Sequence, residues 1–90
     1  MKVRIHIEEI DETVEARDAA ELLSLFKREA ERRAPFLVRP LIKGMSDLGF
    51  AAEAVKRDNA RSGRDDATPK SAKEFLDWAV RRGYATVLDA

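Results

Sequence analysis

Stretches of alternating polar and apolar residues stand at both ends of this 90-residue chain. Near the N-terminus residues 2–8 read KVRIHIE, and near the C-terminus residues 84–88 read YATVL. Alternation with a period of two is typical of a strand that is buried on one face. Because an isolated strand or hairpin is marginal in water, we expect the two ends of the chain to meet in one sheet.

Three stretches between these strands have the periodicity of amphipathic helices. Asp18 with Glu21, and Ser71 with Glu74, form capping-box pairs, which predicts helices from residue 19 to about 33 and from 72 to Gly83. Ser46 or Asp47 begins the remaining helix, which ends at Gly63. Core side chains are predicted on the apolar stripes of these helices, namely Leu22, Phe26, Leu48, Ala51, Ala52, Val55, Phe75 and Val80.

These elements predict the α+β class, with a small, mainly antiparallel sheet packed against three to four helices. Residues 13–17 are a candidate for an additional strand, with residues 9–12 as the turn, so the N-terminal part is either one strand or a hairpin. A chain of this length folds as a single domain, which we expect to cover residues 1–90.

The segment from residue 36 to residue 45, FLVRPLIKGM, is the most unusual part of the sequence. Pro40 cannot lie inside a regular helix, because it lacks an amide hydrogen and its ring clashes with the preceding turn. We therefore expect one turn at 35–38 and a short helix that opens at Pro40. A segment that is apolar on nearly all sides is either buried or covered by a partner, and the sequence leaves both possibilities open.

Trp78 is the second apolar feature that the predicted core does not explain, because it lies off the stripe of its helix. It is either covered by a loop or another helix of the chain or exposed to a partner, and the sequence leaves both possibilities open. Together with residues 36–45 it favours a small non-catalytic protein-interaction or regulatory module, which binds another protein or a second copy of itself. The predicted anchors are Phe36, Leu37, Leu41 and Trp78, with Arg39 and Arg82 as the polar rim.

A nucleic-acid-binding regulator resembling a winged helix is the alternative function. The chain is neutral overall, but residues 27–64 carry a net charge of +5 between acidic neighbours of −4 and −1. If the basic faces were coplanar, phosphates would contact Arg28, Arg32, Lys56, Arg57, Arg61 and Arg64. Acidic Glu74 and Asp77 on the outer face of the last helix argue against its use as a recognition helix.

Catalysis and cofactor binding find little support in the residue types. The chain has one histidine, His6, no cysteine and four isolated glycines, so it offers no nucleophile–base pair, zinc ligand set or phosphate-binding loop. We therefore expect no enzymatic activity, no cofactor and no metal. No stretch resembles a signal peptide or a membrane span, and the composition suggests a bacterial cytoplasmic protein without membrane contact.

Overall fold

The computed structural model, which describes residues 1–7 and 10–89, contains three strands and four helices in those ranges. The order along the chain is β1 (Lys2–Ile7), β2 (Ile10–Glu15), α1 (Ala19–Arg33), α2 (Arg39–Lys43), α3 (Asp47–Ser62), α4 (Ala72–Arg81) and β3 (Ala85–Asp89). The strands form one antiparallel sheet and the helices pack against it, which confirms the predicted α+β fold.

The sheet has the order β2-β1-β3, so the first strand is central and pairs with the last strand of the chain. Val3 lies opposite Val14 on one side and Val87 on the other, and Ile5 lies opposite Ala85. The backbone N–H of His6 also donates to the carbonyl of Tyr84 at 3.0 Å. The predicted pairing of the two ends of the chain is therefore confirmed.

The second strand exists, but its predicted bounds were wrong. It begins at Ile10 rather than at residue 13, and Asp11 and Glu12, predicted in the turn, lie opposite His6 and Ile5. Asp11 is held there because Arg4 donates to both of its carboxylate oxygens at 2.8 and 2.9 Å. Glu8 and Glu9, which were predicted at the end of the strand and in the turn, lie outside the described residues.

The helix ends follow the local signals in the sequence. Asp18, Ser46 and Ser71 each accept a hydrogen bond from the backbone N–H three residues later, at 2.9 to 3.1 Å. The left-handed φ angles of 72° at Gly63 and 79° at Gly83 end the last two long helices. Capping chemistry therefore sets where the helices begin and end.

The core is a cluster of aliphatic and aromatic side chains between the helices and the inner face of the sheet. The ring of Phe75 meets Phe26 edge-on and stacks on Trp78, with both centroid distances at 5.6 Å. Val3, Leu22 and Val55 are fully buried.

Two of the predicted core positions need correction. Val80 is 42% exposed and Leu48 is 39% exposed. The buried residues of α4 are Phe75, Leu76, Trp78 and Ala79. Because Trp78 is one of them, the centre of the buried face lies closer to Phe75 and Ala79 than the predicted stripe, and Val80 falls at its exposed edge. On α3, Leu48 lies on the same face as Ala51 and Val55, but the buried part of that face begins at Ala51 and the first turn stays more exposed.

Truncating a ring of this core should destabilise the whole domain. We expect Phe26→Ala or Phe75→Ala to lower the free energy of unfolding by about 3–5 kcal/mol, because each leaves a cavity that its neighbours cannot fill. Leu37→Ala, at a position that is 85% exposed, serves as the control and should change stability by less than about 0.5 kcal/mol. Urea unfolding of the three variants measures the change in the free energy of unfolding. An equal decrease in all three would contradict the core assignment.

Candidate functional site

A largely apolar cavity of about 500 Å³ opens between α1, α2, α3 and the aromatic part of the core. Its apolar walls include Phe26 and Ala30 from α1, Leu41 and Ile42 from α2, and Phe75 and Trp78 from α4. The polar side chains that line it are Glu53, Arg57, Asp58, Arg61 and Tyr84. A concave, apolar surface with a few converging polar groups is the usual form of a binding site.

The cavity exists because the chain between α1 and α3 cannot form a long helix. Pro35 and Pro40 allow only a turn at 36–38, within the predicted range of 35–38, and the five residues of α2. No side chain of α2 is buried, so this segment covers part of the core without filling the space beneath it. The helix begins at Arg39, one residue before the predicted first position at Pro40, and Pro40 lies in its first turn.

Three large apolar side chains project from this segment into solvent. Phe36 is 80% exposed, Leu37 is 85% exposed and Leu41 is 65% exposed. We call these three residues the lip, because Leu41 also lines the cavity beside them. The question that the sequence left open for these three positions is therefore answered: within the folded chain they do not belong to the core.

Arg39, predicted at the rim of a partner site, is an internal support of the lip. Its guanidinium donates to the carbonyl oxygens of Ala34 at 3.1 Å and Arg32 at 3.3 Å. Those carbonyls belong to the last turn of α1 and the residue after it, where a helix leaves acceptors without internal partners. Arg39 therefore fastens the turn that carries Phe36 and Leu37 to the end of α1.

A buried carboxylate forms the polar end of the cavity. Asp58 is 6% exposed and accepts hydrogen bonds from the hydroxyl of Tyr84 and from Arg82 Nε at 2.9 Å. Arg61 Nη2 lies 3.8 Å from the same carboxylate. Burial alone raises the pKa of Asp58, but the hydrogen bonds from Tyr84 and Arg82 outweigh it, so the pKa lies below its usual value. Asp58 is thus ionised at neutral pH.

The structure corrects the prediction that Trp78 and Arg82 contact a partner. Trp78 is 5% exposed, and its indole N–H donates to Asp66 Oδ2 at 3.1 Å. The loop that contains Asp66 lies over α4 because the Asn59 side chain bonds both the carbonyl and the N–H of Asp66. The Arg82 side chain is only 19% exposed and pairs with Asp58. Both residues therefore support the fold, and Trp78 also forms a wall of the cavity.

The basic residues of the nucleic-acid alternative do not form one available stripe. Arg32 is paired with Glu29 at 2.7 and 2.8 Å, Arg61 contacts Asp58, and Arg64 contacts Asp66 at 3.3 Å. The other three, Arg28, Lys56 and Arg57, are exposed. Internal carboxylates thus neutralise half of the predicted phosphate contacts, which weakens the electrostatic basis of that function.

The single histidine lies outside the cavity. His6 Nε2 lies 3.2 Å from Thr86 Oγ1, on the face of the sheet opposite Val3 and Ile5. Within residues 1–7 and 10–89, no three His, Cys, Asp or Glu side chains come together as a metal site would require. In the same part of the chain, no helix is both long and apolar enough to cross a bilayer.

Comparisons with known protein families, with curated proteins and with solved structures found no match to this chain.

The pKa of Asp58 gives a testable dependence of stability on pH. We expect Asp58→Asn to lower the free energy of unfolding by about 3 kcal/mol at pH 7, because it breaks a buried, hydrogen-bonded ion pair. The folded-state pKa is lowered, so this stabilisation is complete above the unfolded value of about 3.9 and is lost as the pH falls through the folded value. The free energy of unfolding of the wild type should therefore approach that of Asp58→Asn as the pH falls from 7 to about 2.5.

Urea unfolding across this pH range measures the difference. Asp65→Asn is the matched control, because Asp65 is an exposed carboxylate near α3, and it should stay close to the wild type at every pH. If the loss of unfolding free energy caused by Asp58→Asn stays constant or grows as the pH is lowered, Asp58 is not ionised in the folded protein.

Proposed function

We propose that this chain is a non-catalytic protein-interaction module that binds its partner through the lip. The observation that carries the proposal is the exposure of Phe36, Leu37 and Leu41, all at 65% or more. Phe36 is the most exposed aromatic side chain of the protein, since the other rings are buried or half-buried. A group of apolar side chains in water beside a cavity is typical of a surface that another protein covers.

The lip is also held in place before any partner arrives. The backbone N–H of Val38 donates to the carbonyl of Pro35 at 2.8 Å, and the two prolines restrict the segment on both sides. Arg39 adds its bonds to the end of α1. Less conformational entropy is then lost on binding, which is the condition under which a small apolar surface gives useful affinity.

The charges around the lip suggest the chemistry of the partner. From residue 35 to residue 46 the charged residues are Arg39 and Lys43, both positive. A partner segment with apolar anchors flanked by carboxylates would match this surface. A symmetric dimer through the lip would bring the cations of two copies together, because such an interface places the same patch on both sides. We therefore favour a different protein over a second copy.

We further propose a cytoplasmic location in a bacterium, which suits a chain without cysteine. Binding to nucleic acid has less support, because Arg32, Arg61 and Arg64 are engaged by carboxylates of the chain itself.

Replacing one lip residue should remove binding without unfolding the protein. We expect Leu37→Asp to weaken the partner complex at least thirtyfold, or about 2 kcal/mol, because the apolar anchor becomes a charge. The matched control is Leu88→Asp on β3, where the wild-type side chain is 52% exposed and lies outside the lip. Quantitative affinity purification from the native host after cross-linking, with the wild type and both variants as baits, measures the loss.

The expected result is a protein with an acidic docking segment that is retained by the wild type and Leu88→Asp and depleted by Leu37→Asp. Thermal melts of both variants should stay within a few degrees of the wild type. If Leu37→Asp captures the same proteins in the same amounts, or if it unfolds the chain, the lip is not the docking surface. Concentration-dependent dimers that Leu37→Asp disrupts would identify a second copy as the partner instead.

A further inference from the structure

Residues 64–70 lead from the end of α3 to the start of α4, and we call them the strap. Pro69 is buried and Asp66 is half-buried, while the other five side chains of the strap are exposed. Among the described residues, no backbone–backbone hydrogen bond is formed by residues 64–70. A segment with few buried side chains and few backbone hydrogen bonds opens at a lower free energy than the core does.

Asp66 holds the middle of the strap in place. Its backbone N–H donates to Asn59 Oδ1 at 3.1 Å, and its carbonyl accepts from Asn59 Nδ2 at 2.9 Å. Its carboxylate accepts from the indole N–H of Trp78 at 3.1 Å and from Arg64 Nε at 3.3 Å. The hydrogen bond from Trp78 holds the pKa of Asp66 below its usual value, so the carboxylate is ionised and its bond to the indole is charge-assisted. Asp66 is therefore a latch that ties the strap to α3 and α4.

The space beneath the strap is not filled by side chains. A cavity of about 220 Å³ lies between Ala67 and Pro69 on the strap and the side of α4 that carries Trp78. The ring of Trp78 also lines the larger cavity beneath the lip, so it borders both spaces. An empty space under a covering segment removes dispersion contacts that would otherwise hold the segment closed.

We propose that the strap is a gate over the smaller cavity, and that it opens as a unit while the rest of the fold stays intact. Gly63, with a φ angle of 72°, is the hinge at one end. At the other end the backbone N–H of Lys70 is bonded at 3.1 Å to a side chain in the first turn of α4. Opening releases the latch and exposes the indole of Trp78 to solvent. The strap and the lip share no residue, so the gate does not depend on the docking surface.

The indole N–H of Trp78 reports on the gate, because the chain has one tryptophan and this proton is bonded to the latch. We would measure its exchange with deuterated water by NMR at low urea concentrations, beside that of the backbone N–H of Val55 in the buried part of α3. We expect the protection factor of the indole N–H to be at least about a hundredfold smaller than that of Val55. It should also hardly change with urea, because opening the strap exposes much less surface than global unfolding does.

The variant Asn59→Ala tests the latch without removing the acceptor of the indole. It deletes both bonds to the backbone of Asp66, and alanine is a good helix former at this position of α3. The indole N–H should then exchange at least about tenfold faster, because the closed strap has lost hydrogen bonds that the open strap does not make.

The matched control is Ser62→Ala, at the same end of α3. Ser62 Oγ donates to the carbonyl of Asp58 at 2.7 Å, and that bond persists when the strap opens. Ser62→Ala should therefore leave the exchange of the indole N–H within about twofold of the wild type, although it lowers the protection of Val55, which depends on global unfolding.

Three results would overturn the gate. Equal protection and equal urea dependence of the two N–H groups in the wild type would mean that the strap opens only when the whole domain unfolds. An indole N–H without measurable protection would mean that the strap is not latched in solution. If Ser62→Ala accelerates the exchange of the indole N–H as much as Asn59→Ala does, the bonds between Asn59 and Asp66 are not the latch.

Discussion

The carboxylate of Asp58 must find its partners inside the protein, and the arrangement of the C-terminal half follows from that requirement. A buried charge without partners is far too costly to persist in a domain of this size. Tyr84 and Arg82 meet it from the junction of α4 and β3, and the ring of Tyr84 lies 5.5 Å from the guanidinium of Arg82 and 5.7 Å from the ring of Trp78. The carboxylate of Asp58 thereby joins α3 to the start of β3. The same carboxylate forms the polar end of the cavity.

The lip and the cavity both result from a local conflict in the sequence. Residues 36–45 are apolar enough to be buried, but Pro35 and Pro40 prevent the regular helix that could bury them. The outcome is a five-residue helix with no buried side chain above a partly empty apolar space. Positions where local rules and burial disagree are often the positions that a protein uses for binding, and the proposed docking surface lies there.

Local rules predicted most of this fold, and long-range contacts explain what they missed. The strand at each end, the three capped helices and the two glycine stops depend on neighbours within one or two turns. The burial of Trp78 depends on Asp66, twelve residues away, and the first residues of β2 depend on pairing with β1. The sequence predicts Phe36, Leu37 and Leu41 as partner anchors but leaves their burial open, and the structure shows that they are exposed. The contact between Asp58 and Tyr84 is not predicted by any local pattern. Asp58 continues the spacing of Ala51 and Val55 on α3, and an acid on an apolar stripe was the available signal.

Solvent access to the cavity wall is the measurement that tests this account most directly. The chain has no cysteine, so single substitutions Ala54→Cys and Ala51→Cys place one thiol each on α3, in the cavity wall and in the sealed core respectively. With a small thiol reagent, we expect Ala54→Cys to react within about tenfold of Leu37→Cys in the lip, and Ala51→Cys to react at least about a thousandfold more slowly, because it needs unfolding. Equal protection of the thiols at positions 51 and 54 would mean that the cavity is closed in solution and would contradict the account.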